Sequence, residues 1–205
     1  MKNIIAIIWD FDKTLINGYM QDPIFEDYDV DAHEFWKEVN DLPKKYEEEQ
    51  HVKVNPDTIY LNRFIKYAQE GKFDGLNNAK LREYGKRQHF YAGIPEIFEH
   101  TKKLLDNDAV CKEYNIRVEH YIVSTGFAEV IRGTVLSGYV ENIWGCELIE
   151  DEEHKHISEI GYTIDNTTKT RAIFEINKGV NKEKDITVHS KLSDELRREI
   201  GRAHV

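Results

Sequence analysis

The sequence of 205 residues predicts an α/β fold built on a parallel sheet with a helical insert. Residues 4–9 read Ile-Ile-Ala-Ile-Ile-Trp, a continuous apolar run typical of a central strand covered on both faces. A second apolar run, residues 118–123, leads through Ser124-Thr125-Gly126 into a predicted helix. The face of that helix expected to be buried consists of Phe127, Val130, Ile131 and Val135. A strand followed by a turn and a helix is the repeating unit of a parallel sheet.

The segment between the two strands is predicted to be helical. Charged and aromatic residues recur at helical spacing from about residue 16 to residue 90, most clearly over residues 58–69. Asn55-Pro56-Asp57 predicts the start of that helix, and Gly71 its end. Asp41-Leu42-Pro43 predicts the start of another helix that continues to Gln50. The residues expected on the buried face of the clearest helix are Ile59, Phe64, Ile65 and Ala68.

The core is expected to resume at residue 91. Pro95 opens a helix that runs to about Leu105. Residues 142–165 alternate like two strands around a polar turn, and residues 167–177 form an amphipathic helix that Gly179 ends. These patterns predict a core of residues 1–15 and 91–198, an insert of residues 16–90, and a tail of residues 199–205.

Composition excludes several classes of partner. Lys and Arg number 28 against 38 Asp and Glu, so the net charge is −10 and we expect no nucleic acid to bind. The longest apolar stretch, residues 4–9, is far shorter than the roughly 20 residues that span a bilayer. No small-residue cleavage site follows it, so we expect no membrane partner and a cytoplasmic location. Cys111 and Cys146 are expected to be reduced packing residues.

The strongest chemical signal is Asp10-Phe11-Asp12-Lys13-Thr14, directly after the first strand. The carboxyl ends of parallel strands form the ligand crevice of such a sheet, so Asp10 and Asp12 are expected to face a small pocket there. Two neighbouring carboxylates require a cation or a shared proton. A hard divalent ion, Mg²⁺, meets that need and can also bind a phosphate oxygen.

This motif, an apolar strand followed by Asp-x-Asp-x-Thr, resembles the first motif of the haloacid dehalogenase (HAD) superfamily phosphatases. The resemblance implies a three-layer Rossmann-like core with a helical C1 cap at residues 16–90. It implies that Asp10 attacks phosphorus to form an aspartyl-phosphate. Asp12 would protonate the leaving oxygen, activate water and help to hold Mg²⁺, and its presence disfavours dehalogenation. The two strands at 142–165 are similar to an extension of phosphoserine-phosphatase-like members.

Two further motifs of the family are matched. Ser124, after an apolar strand and followed by Thr125 and Gly126, resembles the second motif, and together with Thr14 these residues are expected to bind phosphate. Lys169, at the start of a predicted helix, resembles the third motif and would neutralise the phosphoryl group. Lys178 is the alternative candidate for that lysine, and helix capping is the alternative role for Ser124.

The fourth motif, an apolar strand that ends in an acidic cluster and completes the metal site, is not found. Residues 186–188 form only a short apolar run, and Asp194-Glu195 lies in a pattern typical of a solvated helix. Residues 199–205 can be encoded by a reading frame of a common sequencing adaptor. We therefore expect a C-terminally truncated enzyme with an artificial tail.

The sequence thus predicts a Mg²⁺-dependent phosphomonoester hydrolase acting on a small phosphorylated metabolite; the substrate and the oligomeric state are left open. Two alternatives are a catalytically impaired fragment that binds phosphate or metal, and a nucleotide-sugar transferase with an Asp-x-Asp metal clamp. The histidines of the polar segment 152–156 are interpreted as solvated. The aromatic residues of the insert are interpreted as its core: Tyr19, Phe25, Tyr28, Phe35 and Trp36.

Overall fold

A computed structural model describes residues 3–179 and contains a four-stranded, mostly parallel sheet. The strands lie in the order β1-β2-β3-β4. β1, β2 and β3 run parallel to one another, and β4 is antiparallel to β3. Their bounds are Asn3–Trp9 for β1, Ile116–Phe127 for β2, Asn142–Glu150 for β3 and Ile157–Tyr162 for β4. The sheet confirms the predicted α/β class.

Four helices lie between β1 and β2 within the predicted insert, and the others belong to the predicted core. Those of the insert are α1 (Asp22–Asp27), α2 (Ala32–Gln50), α3 (Pro56–Gln69) and α4 (Asn78–Gly85). Those of the core are α5 (Glu96–Asn107), α6 (Ala109–Glu113), α7 (Ala128–Gly133) and α8 (Thr168–Lys178), with a 3₁₀ turn over Val135–Gly138.

Several elements confirm their sequence signals. α3 begins at the predicted Asn55, whose side chain accepts the Asp57 amide at 2.8 Å. The face of α3 that was expected to be buried is buried. β3 and β4 pair around the polar turn, and α8 ends before Gly179. The aromatic cluster of the insert is confirmed in part: Phe25 and Phe35 are buried with ring centroids 4.9 Å apart, and Tyr28 and Trp36 pack against the core half-buried. Tyr19, also expected in this core, is 40% exposed, so its assignment to the core is wrong.

The prediction that β1 is a central strand covered on both faces is wrong for the described part of the chain. Within residues 3–179, β1 pairs with β2 alone and lies at the edge of the sheet. Ile5 is 47% exposed. An apolar run of β-branched residues specifies a strand, but the number of strands beside it depends on which other segments reach it.

The predicted helix start at Asp41-Leu42-Pro43 is also wrong. One helix, α2, runs through this position and contains Pro43 in its interior. Its N-cap is Asp31, whose side chain accepts the Glu34 amide at 2.9 Å. Proline inside a helix removes one hydrogen bond and costs about 3 kcal/mol. Buried contacts along the same helix, at Phe35, Val39 and Leu42, offset that cost.

The turn predicted at Ser124-Thr125-Gly126 is instead the end of the long strand β2. α7 consequently starts at Ala128 and ends at Gly133, so it is shorter than predicted. Val135, expected on the buried face, lies beyond α7 and is 54% exposed. Hydrophobic spacing located the buried residues of α7 but not the point at which the helix ends.

Some expectations concern residues that the structure does not describe. The short apolar run at 186–188, the acidic pair Asp194-Glu195, the tail at 199–205 and the core beyond residue 179 lie outside the described residues. Among residues 3–179, no helix combines the length and the apolar character that a membrane span requires. Both cysteines are free; Cys146 is buried and Cys111 is half-buried.

Candidate active site

The turn after β1 presents Asp10 at the carboxyl end of the strand. Asp10 is exposed, and the Phe11 amide donates to its Oδ1 at 2.9 Å. The Phe11 carbonyl accepts the amides of Thr14 at 3.2 Å and of Leu15 at 2.9 Å. Because the side chains of Phe11 and Leu15 are fully buried, the turn is anchored in the core while Asp10 remains accessible.

The first turn of α8 brings Lys169 to this aspartate. Lys169 Nζ lies 3.0 Å from Asp10 Oδ1, and the lysine side chain is 23% exposed. The Lys169 amide donates to the Asp165 carbonyl at 2.9 Å, which fixes the start of the helix. The alternative candidate, Lys178, is the last residue of α8, about 13 Å further along the helix axis. The structure therefore favours Lys169 over Lys178 as the lysine of the site.

Asp12 lies in a more buried environment than Asp10. The Met20 amide donates to Asp12 Oδ1 at 2.8 Å. Burial raises the pKa of Asp12 to about 7; the Met20 hydrogen bond opposes this change and the charge of Asp10 reinforces it. A carboxyl group with a pKa near neutrality can give and take a proton at physiological pH.

The end of β2 lies next to the end of β1. The parallel register pairs Trp9 with Ile122, so Asp10 and Ser124 follow at the same edge of the sheet. Ser124 is buried, and its Oγ accepts the Gly126 amide at 3.0 Å. The residue that precedes α7 is Phe127, which makes no side-chain cap bond, so Ser124 is not the N-cap of this helix.

Gly126 allows the two loops to approach each other closely. A Cβ atom at this position would lie 2.2 Å from Met20 Cε and 3.3 Å from Asp12 Oδ2. The next amide, that of Phe127, donates to Met20 Sδ at 3.0 Å. The backbone at Gly126 is therefore in contact with the environment of the Asp12 carboxylate.

Thr125 and Thr14 are held in position by hydrogen bonds of their backbones. The Thr125 carbonyl accepts hydrogen bonds from the Tyr60 hydroxyl of α3 and, at 3.2 Å, from Cys146 Sγ. Burial raises the pKa of Tyr60 well above its usual value, so the hydroxyl remains a donor. Thr14 is exposed in the turn after β1. Phosphate binding by these two threonines stays a prediction.

Three residues of this site were not identified from the sequence: Met20, Tyr60 and Asp165. Tyr60 belongs to the helix pattern of α3, but nothing in its spacing distinguishes it from a core tyrosine. Asp165 had a usable signal, because an aspartate just before a predicted helix is typical of a helix start. The sequence carries no signal for Met20, because its contacts with Asp12 and Phe127 depend on how the loop after β1 folds back.

No family model matches the chain. An uncharacterised protein of Borreliella burgdorferi is 37% identical over an alignment of 195 positions that covers 87% of this chain; the chain spans 66% of the length of that relative. Among solved structures, a HAD-family hydrolase of Salmonella enterica serovar Typhi is similar over 88% of this chain and 53% of its own, at a TM-score of 0.60 and 14% identity.

The fold is that of the HAD hydrolases. Two phosphoserine phosphatase structures are also similar, one with bound substrate and one with an analogue of the phospho-aspartyl intermediate. Their TM-scores are 0.57 and 0.55, and their identities are 16% and 18%. Each covers 88% of this chain, and the chain covers 72% of each. The mostly parallel sheet and the flanking helices of this chain are thus those of the HAD fold.

The acidic residues at the HAD sheet edge suit a hard cation. Mg²⁺ in proteins is often held by one or two carboxylates together with substrate phosphate and water. The two carboxylates of Asp10 and Asp12 match this donor set. Between residues 3 and 179, no group of three or more His, Cys, Asp or Glu side chains is arranged to hold a metal.

Proposed function

We propose that this chain is a Mg²⁺-dependent phosphomonoester hydrolase that acts on a small phosphorylated metabolite. The contact of 3.0 Å between Lys169 Nζ and Asp10 Oδ1 carries the proposal. It places a cation beside an exposed carboxylate at the ligand edge of the sheet, with the half-buried Asp12 two residues away. The HAD fold and the structural likeness to phosphoserine phosphatases support it.

Asp10 and Asp12 divide the covalent chemistry between them. The Asp10 carboxylate attacks phosphorus, and the bond from phosphorus to the substrate oxygen breaks. Asp12, in its protonated form, gives its proton to that leaving oxygen. In the second step Asp12 takes a proton from water, whose oxygen attacks phosphorus and releases phosphate from Asp10. A pKa of about 7 suits Asp12 to both steps.

Lys169 and the end of β2 bind the phosphoryl group. The Lys169 ammonium reduces the repulsion between Asp10 and an incoming dianion. Ser124, Thr125, Gly126 and Thr14 supply hydroxyl and amide donors to its oxygens. When bound, Mg²⁺ would be held by Asp10 and Asp12 and would neutralise charge on the phosphoryl oxygens.

Residues 16–90 form the cap that covers the pocket and selects the substrate. The hydrogen bond from Tyr60 to the Thr125 carbonyl supports this role, because it joins α3 of the insert to the catalytic edge of the sheet. Water excluded from the pocket strengthens electrostatic interactions with the phosphoryl group.

A second candidate function is the binding of phosphate or metal without turnover. One observation favours it: residues 3–179 supply two carboxylates at this edge and no group of three metal-binding side chains. The two functions differ in whether phosphate is released from an ester.

The deciding experiment incubates the full 205-residue chain with p-nitrophenyl phosphate, with and without Mg²⁺. We expect release of p-nitrophenol that depends on Mg²⁺ and that Asp10→Asn abolishes. Asp106→Asn, an exposed change on α5, is the matched control and should retain the wild-type rate. Hydrolysis by Asp10→Asn at the wild-type rate would refute the assignment of Asp10 as the nucleophile. Absence of hydrolysis by the wild-type chain, with phosphate binding retained, would favour the second function.

A further inference from the structure

The N-terminal turn of α3 is joined to the loop before α8 by two reciprocal hydrogen-bonded pairs. Asn55 Nδ2 donates to Asp165 Oδ2 at 2.9 Å. In the other direction, the backbone amide and the Nδ2 of Asn166 both donate to Asp57 Oδ2, at 3.0 and 2.9 Å. These contacts connect the insert with the helix that carries Lys169.

Asp165 uses its two carboxylate oxygens for different purposes. Oδ1 accepts the amides of Thr167 and Thr168, at 2.9 and 2.6 Å, and the Thr168 hydroxyl at 2.9 Å. Its backbone carbonyl accepts the Lys169 amide at 2.9 Å. Asp165 therefore fixes the first turn of α8 with one oxygen and leaves Oδ2 for Asn55.

We propose that Asn55 is a positioning residue, which holds Asp165 and through it the turn of α8 that places Lys169 beside Asp10. The effect on catalysis rests on the proposed function, whereas the effect on α8 does not. Asn55 acts at a distance from the reacting atoms. The N-cap of α3, Asn55, thus contacts Asp165 before α8, and Tyr60 of α3 contacts the Thr125 carbonyl.

The chemistry of the pair permits a specific test. The side-chain oxygen of Asn55 accepts the Asp57 amide and caps α3, while its Nδ2 donates to Asp165. Asn55→Asp keeps the cap but removes the donor and places two carboxylates side by side. Asp165→Asn keeps an oxygen for the amides of α8 and supplies a new donor. The double variant therefore restores one hydrogen bond with its direction reversed.

The experiment uses the full chain and four variants: Asn55→Asp, Asp165→Asn, the double variant and Asn62→Asp. Asn62 is exposed on the same helix and serves as the matched control. The first measurement is hydrogen–deuterium exchange of the amides of residues 165–170. We expect Asn55→Asp to increase this exchange about fivefold, which corresponds to the loss of about one ordinary hydrogen bond. The double variant should return to the wild-type rate, and Asn62→Asp should not differ from it.

The second measurement is hydrolysis of p-nitrophenyl phosphate, with kcat and KM separated. We expect kcat/KM to fall about fivefold in Asn55→Asp and to recover in the double variant. Equal exchange in Asn55→Asp and Asn62→Asp would overturn the proposal, as would a double variant that does not recover. Altered exchange without altered kcat/KM would overturn the positioning role. An inactive wild-type chain would refute the proposed function, and the exchange data would still decide whether Asn55 holds α8.

Discussion

Lys169 Nζ lies 3.0 Å from Asp10 Oδ1, so the first turn of α8 is in contact with the end of β1. Both side chains are partly exposed, 23% for the lysine and 45% for the aspartate. An ion pair with this exposure contributes little to stability. In the proposed mechanism its significance is chemical, because it would hold a cation where a phosphoryl dianion approaches Asp10.

Replacement of Lys169 by methionine should lower phosphatase activity far more than it lowers stability. Loss of one charged group that stabilises the transition state typically reduces kcat by about 10²–10³-fold. We expect this reduction in hydrolysis of p-nitrophenyl phosphate, with a Tm close to that of the wild type. Lys178→Met is the comparison, since Lys178 lies at the other end of α8. An equal or larger loss in Lys178→Met would contradict the assignment of Lys169.

Asp12 should make folding stability depend on pH. Burial raises the pKa of Asp12 to about 7 in the folded chain, above its ordinary value of 3.8. The folded chain therefore holds this proton more tightly than the unfolded chain does. The resulting stability is fully present below about pH 4 and is lost as the pH rises through about 7.

Asn at position 12 does not ionise and can still accept the Met20 amide. In the presence of EDTA, Asp12→Asn should therefore raise the Tm at pH 8 by about 4–8 °C, which corresponds to a gain of about 2 kcal/mol. The gain should shrink as the pH falls to 5, and catalytic activity should be lost. Thermal melts at several pH values test this. If Asp12→Asn did not raise the Tm at pH 8, or raised it equally at all pH values, the raised pKa of Asp12 would be contradicted.

His156 should stabilise the chain at acidic pH. Its Nδ1 lies 3.1 Å from Asp151 Oδ2 and its Nε2 lies 3.0 Å from Asp74 Oδ1, so it bridges the turn between β3 and β4 and the insert. Both nitrogens can donate only when the ring is protonated. Hydrogen bonds to Asp74 and Asp151 raise the pKa of His156. This histidine lies at the surface, with its side chain 36% exposed, and is also hydrogen-bonded there.

The stabilisation from His156 is fully present below the unfolded pKa of about 6.5 and is lost as the pH rises through the raised folded pKa. We expect His156→Gln to lower the Tm at pH 6 and to have little effect at pH 9. His154→Gln is the control, because His154 is 79% exposed and contacts Glu150 at 2.9 Å. Equal effects of His156→Gln at both pH values would contradict the prediction.

Gly85 should be required for the packing of α4 on α7. A Cβ atom at position 85 would lie 2.2 Å from the Val130 carbonyl oxygen and 2.7 Å from the Gly133 carbonyl carbon. These are backbone atoms that cannot move aside cheaply, so Gly85→Ala should destabilise the chain by about 1–3 kcal/mol. A Cβ atom at Gly138 would meet nothing within 4 Å, so Gly138→Ala is the control. Urea unfolding measures the stability of both variants. Equal unfolding midpoints for Gly85→Ala and Gly138→Ala would contradict the close packing at Gly85.

Local patterns predicted those elements whose signals lie within a few residues. The N-cap at Asn55, the buried face of α3 and the pairing of β3 with β4 are examples. Pro43 shows the limit of such patterns. A proline usually marks a helix start, and only the burial along α2 could show that this helix continues through it.

For the site, the sequence by itself determined which residue types stand at the ends of β1 and β2, because an apolar strand followed by carboxylates or a hydroxyl is a local pattern. It also favoured a lysine at the start of α8. Only the tertiary structure decided that Lys169 contacts Asp10, that Met20 and Gly126 lie against Asp12, and that Asn55 donates to Asp165. Those relationships join segments far apart in the chain, and burial and distance exist only once the segments have packed together.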